Sequence, residues 1–178
     1  QGLAKAQIIK WTDCKIMEDK LGENIWKIVQ ENQDPNKPFD KQEYLKYENE
    51  RYEYINRTFD TDKKILTYES KEKDEDLYIN KSNFEIKDEN TFTIVDQYEY
   101  LYKPKYNVET KKFESDETNV GVRYYIYNLI DSTITVFDYR GSGRMLEKVQ
   151  QCKSNYSPNT GETNDIASSG TAFFINNR

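Results

Sequence analysis

The chain has 178 residues, of which 35% are hydrophobic and 33% are charged, and its formal net charge is −6. That length is ordinary for one domain, and a chain of this size buries roughly 70% of the surface that its unfolded form exposes. Acidic and basic residues are interspersed without a long run of one sign, which argues against nucleic acid and anionic membranes as partners. No apolar run reaches about 18 residues, so we expect no membrane-spanning segment.

Aromatic residues decide between a folded and a disordered chain. The low hydrophobic fraction is by itself typical of disorder. However, the chain contains 15 Tyr, 8 Phe and 2 Trp, and aromatic side chains bury the largest area per residue. We therefore expect a folded domain with a thin aromatic core and a polar surface.

Strand patterns dominate the chain. Nine short runs rich in aromatic and β-branched residues are each bounded by polar turns. Because few helical patterns separate them, they predict an all-β fold, an antiparallel sandwich or barrel, with one domain spanning residues 1–178. The predicted strands cover residues 24–30, 51–59, 64–70, 83–87, 91–96, 98–103, 120–129, 133–140 and 171–176.

Two short helices are predicted beside these strands. Residues 12–21 form a candidate helix that leads into the first strand. Residues 143–151 form the second, because Met145, Leu146 and Val149 have the i, i+1, i+4 spacing of a helix face. Hairpin connections are predicted at residues 60–63, 87–90 and 128–132.

The inward and outward faces of two strands are predicted from the sequence. Tyr98 and Tyr100 alternate with other residues, so they share one face of their strand. Asn56 lies in an Asn-Arg-Thr sequon and must face water if it carries a glycan. Ile55 and Phe59 are then expected to face the core.

Cysteines and glycosylation sequons together indicate the cellular compartment. Three N-x-S/T sequons, at Asn56, Asn80 and Asn155, accompany two cysteines, Cys14 and Cys152. The combination favours a glycosylated, oxidised protein of the extracellular space or the secretory pathway. The alternative is a cytosolic protein with two free thiols and accidental sequons.

Catalytic, metal and cofactor motifs are scarce. The chain has no histidine, which excludes Ser-His-Asp and Cys-His catalysis and histidine-based zinc sites. Gly141 and Gly143 lack the context of a phosphate loop and predict a turn. Asp60, Asp62 and the acidic cluster at residues 74–76 fit no EF-hand and indicate solvated loops. We therefore expect no catalytic set, no metal site and no cofactor.

The C-terminal third contains the most specific motif of the chain. Residues 123–143 hold two strand patterns, the second ending in Tyr139-Arg140-Gly141, and residues 170–178 follow as an apolar run that begins with glycine. These segments resemble the last hairpin and the closing strand of the lipocalin domain of the violaxanthin de-epoxidase family. That hairpin of the family also ends in Tyr-Arg-Gly.

The resemblance implies an antiparallel up-and-down β-barrel of the lipocalin type with one or two short helices. Lipocalins begin with Gly-x-Trp on the first strand, where the Trp plugs the closed end of the barrel. Trp26 is expected in that role, with the stem of Arg140 packed beneath it. The de-epoxidases also carry cysteine-rich and glutamate-rich regions that these 178 residues lack, so de-epoxidase activity is not implied. Asp40 is a candidate catalytic acid, paired with Arg140, only under an enzymatic alternative.

A ligand-binding barrel is the leading functional prediction. An eight-stranded barrel has room for one small ligand or for side chains only. Inward-pointing tyrosines would form an amphipathic cavity wall, and the alternative places them on the surface and in the core. We predict a secreted protein that holds a small apolar or amphipathic ligand. The alternative is a glycosylated structural subunit of an extracellular or surface assembly, with self-contacts or a protein partner.

Cys14 and Cys152 are predicted to form one disulfide. Both lie outside the predicted strands, one before the first strand and one after the second candidate helix. By resemblance to lipocalins, whose terminal segments often meet at one end of the barrel, the two segments come together. A bridge requires the two Cα atoms to lie within about 7 Å of each other.

Overall fold

The computed structural model describes residues 5–141 and 144–164, and the strand predicted at residues 171–176 lies outside them. Two helices and thirteen strands are seen in this part of the chain. In chain order they are β1 (Ile8–Asp19), α1 (Lys20–Gln33), α2 (Lys41–Glu50), β2 (Tyr52–Asp60), β3 (Ile65–Glu72), β4 (Leu77–Asn83), β5 (Glu85–Asp88), β6 (Thr91–Leu101), β7 (Lys105–Asn107), β8 (Lys112–Glu114), β9 (Thr118–Asn128), β10 (Thr133–Arg140), β11 (Arg144–Ser154), β12 (Tyr156–Ser157) and β13 (Glu162–Thr163).

Nine of the strands form one antiparallel sheet in the order β4-β3-β2-β1-β11-β10-β9-β6-β5. The order follows the chain as a meander, with the β7–β8 hairpin inserted before β9, and β11 returns to pair with β1. The edge strands β4 and β5 are joined by Phe84 alone, so the sheet must curl until its edges approach each other. The result is a curled half-barrel, which confirms the prediction of an all-β, antiparallel, barrel-like fold.

β1 changes the phase of its inward-facing residues twice. Its register against β11 shifts once after Thr12 and once after Ile16, and each shift is a β-bulge or irregularity. Ile9 and Trp11 are buried before the first shift, Ile16 after it, and Asp19 after the second. The helix predicted over residues 12–21 is wrong because the two shifts break the alternation by which a strand is recognised.

α1 covers the segment predicted as a strand at residues 24–30. β-branched residues there favour a strand, but Leu21, Ile25 and Val29 also follow the i, i+4, i+8 spacing of a helix face. Asp19 caps the helix by accepting a hydrogen bond from a backbone N–H of the first turn. The cap and the apolar stripe therefore override the local strand propensity.

α2 has no counterpart among the predicted elements. It begins after Asp40, whose side chain accepts hydrogen bonds from the backbone N–H groups of Gln42 and Glu43. This cap satisfies two of the N–H groups that the first turn of a helix leaves without partners. Neither of the described helices is long and apolar enough to cross a lipid bilayer.

β11 replaces the helix predicted at residues 143–151. Met145 lies on the outer face of the sheet and is 46% exposed, whereas Lys148 and Gln150 line the concave side. Leu146 also lines the concave side, and Glu147 lies on the outer face with Met145, so both faces of this strand mix polar and apolar side chains. Mixed faces give no readable strand alternation, and the helical spacing of Met145 and Val149 is accidental.

The predicted disulfide between Cys14 and Cys152 is present, and the two Cα atoms are 4.0 Å apart. Both cysteines lie within paired strands, β1 and β11, rather than outside the strands as predicted. At the first register shift two residues of β1, one of them Cys14, oppose Cys152 alone. The bridge therefore holds the register of the pairing that joins β1 to β11.

An aromatic cluster forms the core of the half-barrel. Phe59 lies at its centre, with ring centroids 5.3 Å from Trp11, 5.5 Å from Phe84, 5.3 Å from Phe92 and 5.1 Å from Tyr127. Edge-to-face and tilted geometries of this kind add to the stabilisation that burial provides. The inward orientation predicted for Phe59 is confirmed, since the residue is fully buried.

Replacing both cysteines by alanine should lower the free energy of unfolding by up to roughly 5 kcal/mol, because the bridge restricts the unfolded chain over a long loop. Denaturant titration of the oxidised wild type and of the Cys14→Ala/Cys152→Ala variant measures the loss. Reduced wild type is the control and should match the variant. Equal stability of the oxidised and reduced wild type would contradict the expectation.

Candidate functional site

The concave side of the curled sheet encloses an open cavity of about 950 Å³. Leu66, Ile134 and Val136 line its floor, where it meets the aromatic cluster. Above this floor the wall is rich in tyrosine and charged side chains, which come from the inward positions of the strands. Small-molecule sites in proteins are concave, have volumes of roughly 300–1,000 Å³ and combine apolar surface with a few polar groups. The cavity fits that description.

Both helices contribute to one side of the cavity. Trp26 of α1 is half-buried and lies between Tyr44 and Tyr47 of α2, with ring centroids 5.4 and 5.2 Å away. Trp26 is therefore a helix residue of the cavity wall, and its expected place on the first strand is wrong. The tryptophan on the first strand is Trp11, which is fully buried in the aromatic cluster. Arg140, expected beneath Trp26, contacts tyrosines of β6.

A buried hydrogen bond joins the end of β1 to both helices. The Tyr44 hydroxyl donates to Asp19 Oδ2 over 2.8 Å, and Asp19 Oδ1 accepts from the Gly22 N–H over 3.0 Å. Burial and the hydrogen bond to Asp19 raise the pKa of Tyr44 far above its ordinary value. A Cβ on Gly22 would lie 1.8 Å from the Tyr44 hydroxyl oxygen, so only glycine permits this contact. These groups fix the helices against the barrel.

A second polar network surrounds the buried carboxylate of Asp138. The Tyr98 hydroxyl donates to Asp138, and Arg140 Nε donates to that hydroxyl over 2.9 Å. Arg123 Nε and Arg140 Nε lie 3.5 and 3.7 Å from Asp138 Oδ2. The Arg140 guanidinium also lies 4.7 Å from the Tyr100 ring centroid. Asp138 is thus neutralised by two arginines, and the prediction that Tyr98 and Tyr100 share a face agrees with their common contact to Arg140.

Two further cations face the cavity without such neutralisation. Arg57 is 9% exposed, its Nη1 donates to Cys14 Sγ over 3.3 Å, and its guanidinium lies 5.0 Å from the Tyr68 ring centroid. Lys148 lines the same cavity, and burial lowers its pKa. Within residues 5–141 and 144–164, neither side chain forms an ion pair with a carboxylate.

The cavity reaches solvent through a gap between the two edges of the sheet. In the described chain β4 pairs only with β3, and β5 covers only the first residues of β6. Tyr78 and Asn80 of β4 and Ile94, Val95 and Asp96 of β6 line the cavity at this gap. Tyr78 is 56% exposed and Val95 59%, as expected at an opening. A ligand can therefore enter from the side.

The three sequons differ in accessibility. Asn56 is 1% exposed, so the prediction that it faces water is wrong. Asn155 is also buried, and its Oδ1 accepts a hydrogen bond from the Lys10 N–H over 2.8 Å. Asn80 is exposed on β4, where its Nδ2 donates to Ser82 Oγ. In the folded chain only Asn80, of the three, has room for a glycan.

Two of the acidic residues considered for catalysis or metal binding, Asp40 and Asp60, have structural roles. Asp40 is the exposed cap of α2. Asp60 Oδ1 accepts hydrogen bonds from the backbone N–H groups of Asp62 and Lys63, which closes the turn between β2 and β3. No grouping of three or more His, Cys, Asp or Glu side chains suited to a metal ion occurs in the described part of the chain.

The charged lining of the cavity is the part of the site that sequence analysis missed. Arg57 precedes Phe59 by two residues, so a strand that buries one must turn the other inward as well. Arg123 stands in the same relation to Tyr125. These relations were available as signals in the sequence. Lys148 gave no such signal, because its segment was interpreted as a helix.

Comparison with known proteins adds no evidence about function to the geometry of the cavity. The chain matches no protein-family model, no curated protein and no solved structure. The resemblance to the lipocalin domain of the de-epoxidases therefore stays a prediction. The residues that line the cavity are the evidence for what it binds.

Replacing Tyr44 by phenylalanine should lower the free energy of unfolding by about 1.5–3 kcal/mol, because the buried Asp19 carboxylate loses its hydroxyl donor. Tyr47→Phe is the matched control: it lies on the same helix, contacts the same Trp26 ring and is 52% exposed. Its effect should stay below about 0.5 kcal/mol. Denaturant titration compares the two variants, and equal losses would contradict the role given to Asp19.

Tyr127 should make the fold sensitive to alkali. Burial raises the pKa of Tyr127 to about 12, although nearby Arg57 lowers it somewhat. The unfolded chain ionises tyrosine near pH 10, so this contribution to stability is present below about pH 10 and lost between about pH 10 and 12. The expected loss from this group is roughly 2–3 kcal/mol.

Denaturant titrations at pH 8 and near pH 12 measure that loss. Tyr127→Phe should reduce the difference in stability between the two pH values. Tyr78→Phe, at the exposed edge strand, should leave the difference unchanged. An unaltered difference in Tyr127→Phe would contradict the assignment.

Proposed function

We propose that this chain is a secreted binding protein of the lipocalin type that holds one small amphipathic ligand in its cavity. The observation that carries the proposal is the cavity of about 950 Å³, with apolar residues at its floor and polar groups on its wall. A ligand with an apolar body and a polar end matches these two regions. The lateral gap between β4 and β6 supplies a way in.

The topology supports the lipocalin assignment. The sheet is an antiparallel meander in which β11 returns to β1, as in an up-and-down barrel. Trp11 lies on the first strand and packs in the aromatic cluster at the apolar end, which is the position that lipocalins give to their first tryptophan. The resemblance at residues 123–143 falls on the hairpin of β9 and β10, which β11 follows before the sheet returns to β1.

The secretory assignment has two supports. The disulfide between Cys14 and Cys152 is favoured in an oxidising compartment. Asn80 lies in a sequon and is exposed at the rim of the lateral gap, so we propose it as the glycosylated residue, with its glycan extending from the rim into solvent. Asn56 and Asn155 are not proposed, because their side chains are buried.

The alternative function, a subunit of an assembly, would use the outer face of the sheet for protein contacts. Val120, Tyr124 and Tyr139 are exposed there. Contiguous exposed apolar surface of this kind often marks a protein contact. The cavity carries the stronger proposal, because buried charges on a concave surface do not contribute to contacts between outer faces.

Nile red, an uncharged apolar fluorophore, tests the proposed cavity. Wild type should bind it with one site. Ile94→Trp places bulk in the cavity wall and should weaken binding at least tenfold, because the added ring occupies ligand volume. Val120→Trp adds the same residue type to the outer face of a neighbouring strand, where the side chain is 61% exposed, and should leave affinity within about twofold.

Circular dichroism spectra establish that both variants are folded before binding is compared. Native mass spectrometry of the purified wild type then looks for a retained ligand. The proposal fails if Nile red does not bind to the wild type. It also fails if Ile94→Trp binds as tightly as Val120→Trp does.

A further inference from the structure

We propose that the cavity recognises the oxyanion head of its ligand, a carboxylate or a phosphate ester at the end of an apolar chain, through Arg57 and Lys148. This inference rests on the proposed function and specifies its ligand. The head group would lie between the two side chains, and the apolar chain would extend toward the floor formed by Leu66, Ile134 and Val136.

The pairing of charges inside the cavity is the first argument. Three carboxylates line its inner part, and each has donors of its own: Asp19 has Tyr44, Glu48 has Arg51 at 3.0 Å, and Asp138 has two arginines. Arg57 and Lys148 remain as the inner cations that form no ion pair within residues 5–141 and 144–164.

Two more carboxylates among the lining residues do not neutralise Arg57 or Lys148. Asp96 is exposed at the lateral gap. Glu147 directly precedes the inward Lys148 and is paired in register with Phe137, so its side chain lies on the outer face of the sheet. Neither is positioned to neutralise the inner cations.

The surroundings of Lys148 support an anionic partner. Burial lowers the pKa of Lys148, Asp19 and Glu48 raise it, and Arg57 and Arg123 lower it. The ammonium group therefore lies among two guanidinium groups and two carboxylates, and Asp19 is its partner in register, although no carboxylate of the described residues is within ion-pair distance of it. Buried charges are ordinarily paired, because an isolated ion loses its hydration without compensation. An anion bound in the cavity would provide that compensation for both cations.

Arg57 is held in a fixed orientation, as recognition of an oxyanion requires. Its guanidinium lies 5.0 Å from the Tyr68 ring centroid and donates to Cys14 Sγ. A guanidinium has five N–H donors in a rigid fork, so others remain for a carboxylate or phosphate. The disulfide thus positions this arginine as well as the two strands.

Titration calorimetry with four probes that share a dodecyl chain tests the inference. Dodecanoate and dodecyl phosphate carry the anionic head, dodecan-1-ol is neutral, and dodecyltrimethylammonium is cationic. Each is used below its critical micelle concentration. We expect at least one anionic probe to bind at least tenfold more tightly than the alcohol, and the cation to bind most weakly. The two anionic probes distinguish a carboxylate from a phosphate head.

Lys148→Met keeps the length of the side chain and removes its charge. It should weaken binding of the preferred anion at least tenfold and change binding of dodecan-1-ol less than twofold. Lys153→Met, on the same strand with a side chain that is 78% exposed, is the matched control and should leave all affinities unchanged. Without ligand, Lys148→Met should unfold at the same denaturant concentration as wild type or a higher one, because an unpaired buried charge has been removed.

The outcomes separate the two proposals. If no probe binds, the proposed function and the anion site both fail. If dodecan-1-ol or the cation binds as tightly as the anions, the cavity binds ligands but the anion site is wrong. If Lys148→Met keeps full affinity for the preferred anion, the assignment to Lys148 is wrong. If that variant is strongly destabilised without ligand, Lys148 has a structural role instead.

Discussion

The pairing of β1 with β11 is the contact on which the rest of the structure depends. It joins the two ends of the strand meander, and the Cys14–Cys152 bridge fixes its register. The two register shifts in β1 then place Trp11 in the aromatic cluster and Asp19 beside both helices. A continuous alternation along β1 would keep Trp11 and Asp19 on one face, but it would turn Ile16, which is buried between the two shifts, to the outer face. The pairing of β1 with β11 thus positions residues at both ends of the cavity.

In contrast to the paired strands β1 and β11, β4 and β6 are separated by a gap. Full closure would pair every strand edge and remove the risk of edge-to-edge association. Here the edges stay apart beyond the start of β6, and exposed residues such as Tyr78 and Val95 remain at the rim. The two edges therefore leave backbone groups without partners in the described part of the sheet, and the gap between them gives access to the cavity. An open edge beside a cavity agrees better with ligand exchange than with a purely structural domain.

Sequence analysis could predict the strands in which aromatic and β-branched residues alternate regularly, and it failed where register shifts or mixed faces hide that alternation, as in β1 and β11. Runs such as β2, β9 and β10 carry aromatic and β-branched residues, and all three appear in the structure close to their predicted bounds. β11 turns Leu146, Lys148 and Gln150 inward and Met145 and Glu147 outward, so each face is mixed. The prediction of α1 failed for a different reason. Its cap, Asp19, lies at the end of β1, and the sequence of that segment predicts a helix instead of a strand.

The charged side chains that face the cavity are not what stability of the fold requires. A barrel selected for stability alone would fill its interior with apolar side chains, since an isolated buried charge is costly. The chain instead places Arg57 and Lys148 toward the cavity and leaves each inner carboxylate with another partner. Packing explains the position of Arg57 on Tyr68, but it does not explain a buried ammonium group that has no carboxylate of the described residues within ion-pair distance. The proposed anionic ligand would compensate that ammonium group, and the lateral gap would give the ligand access to it.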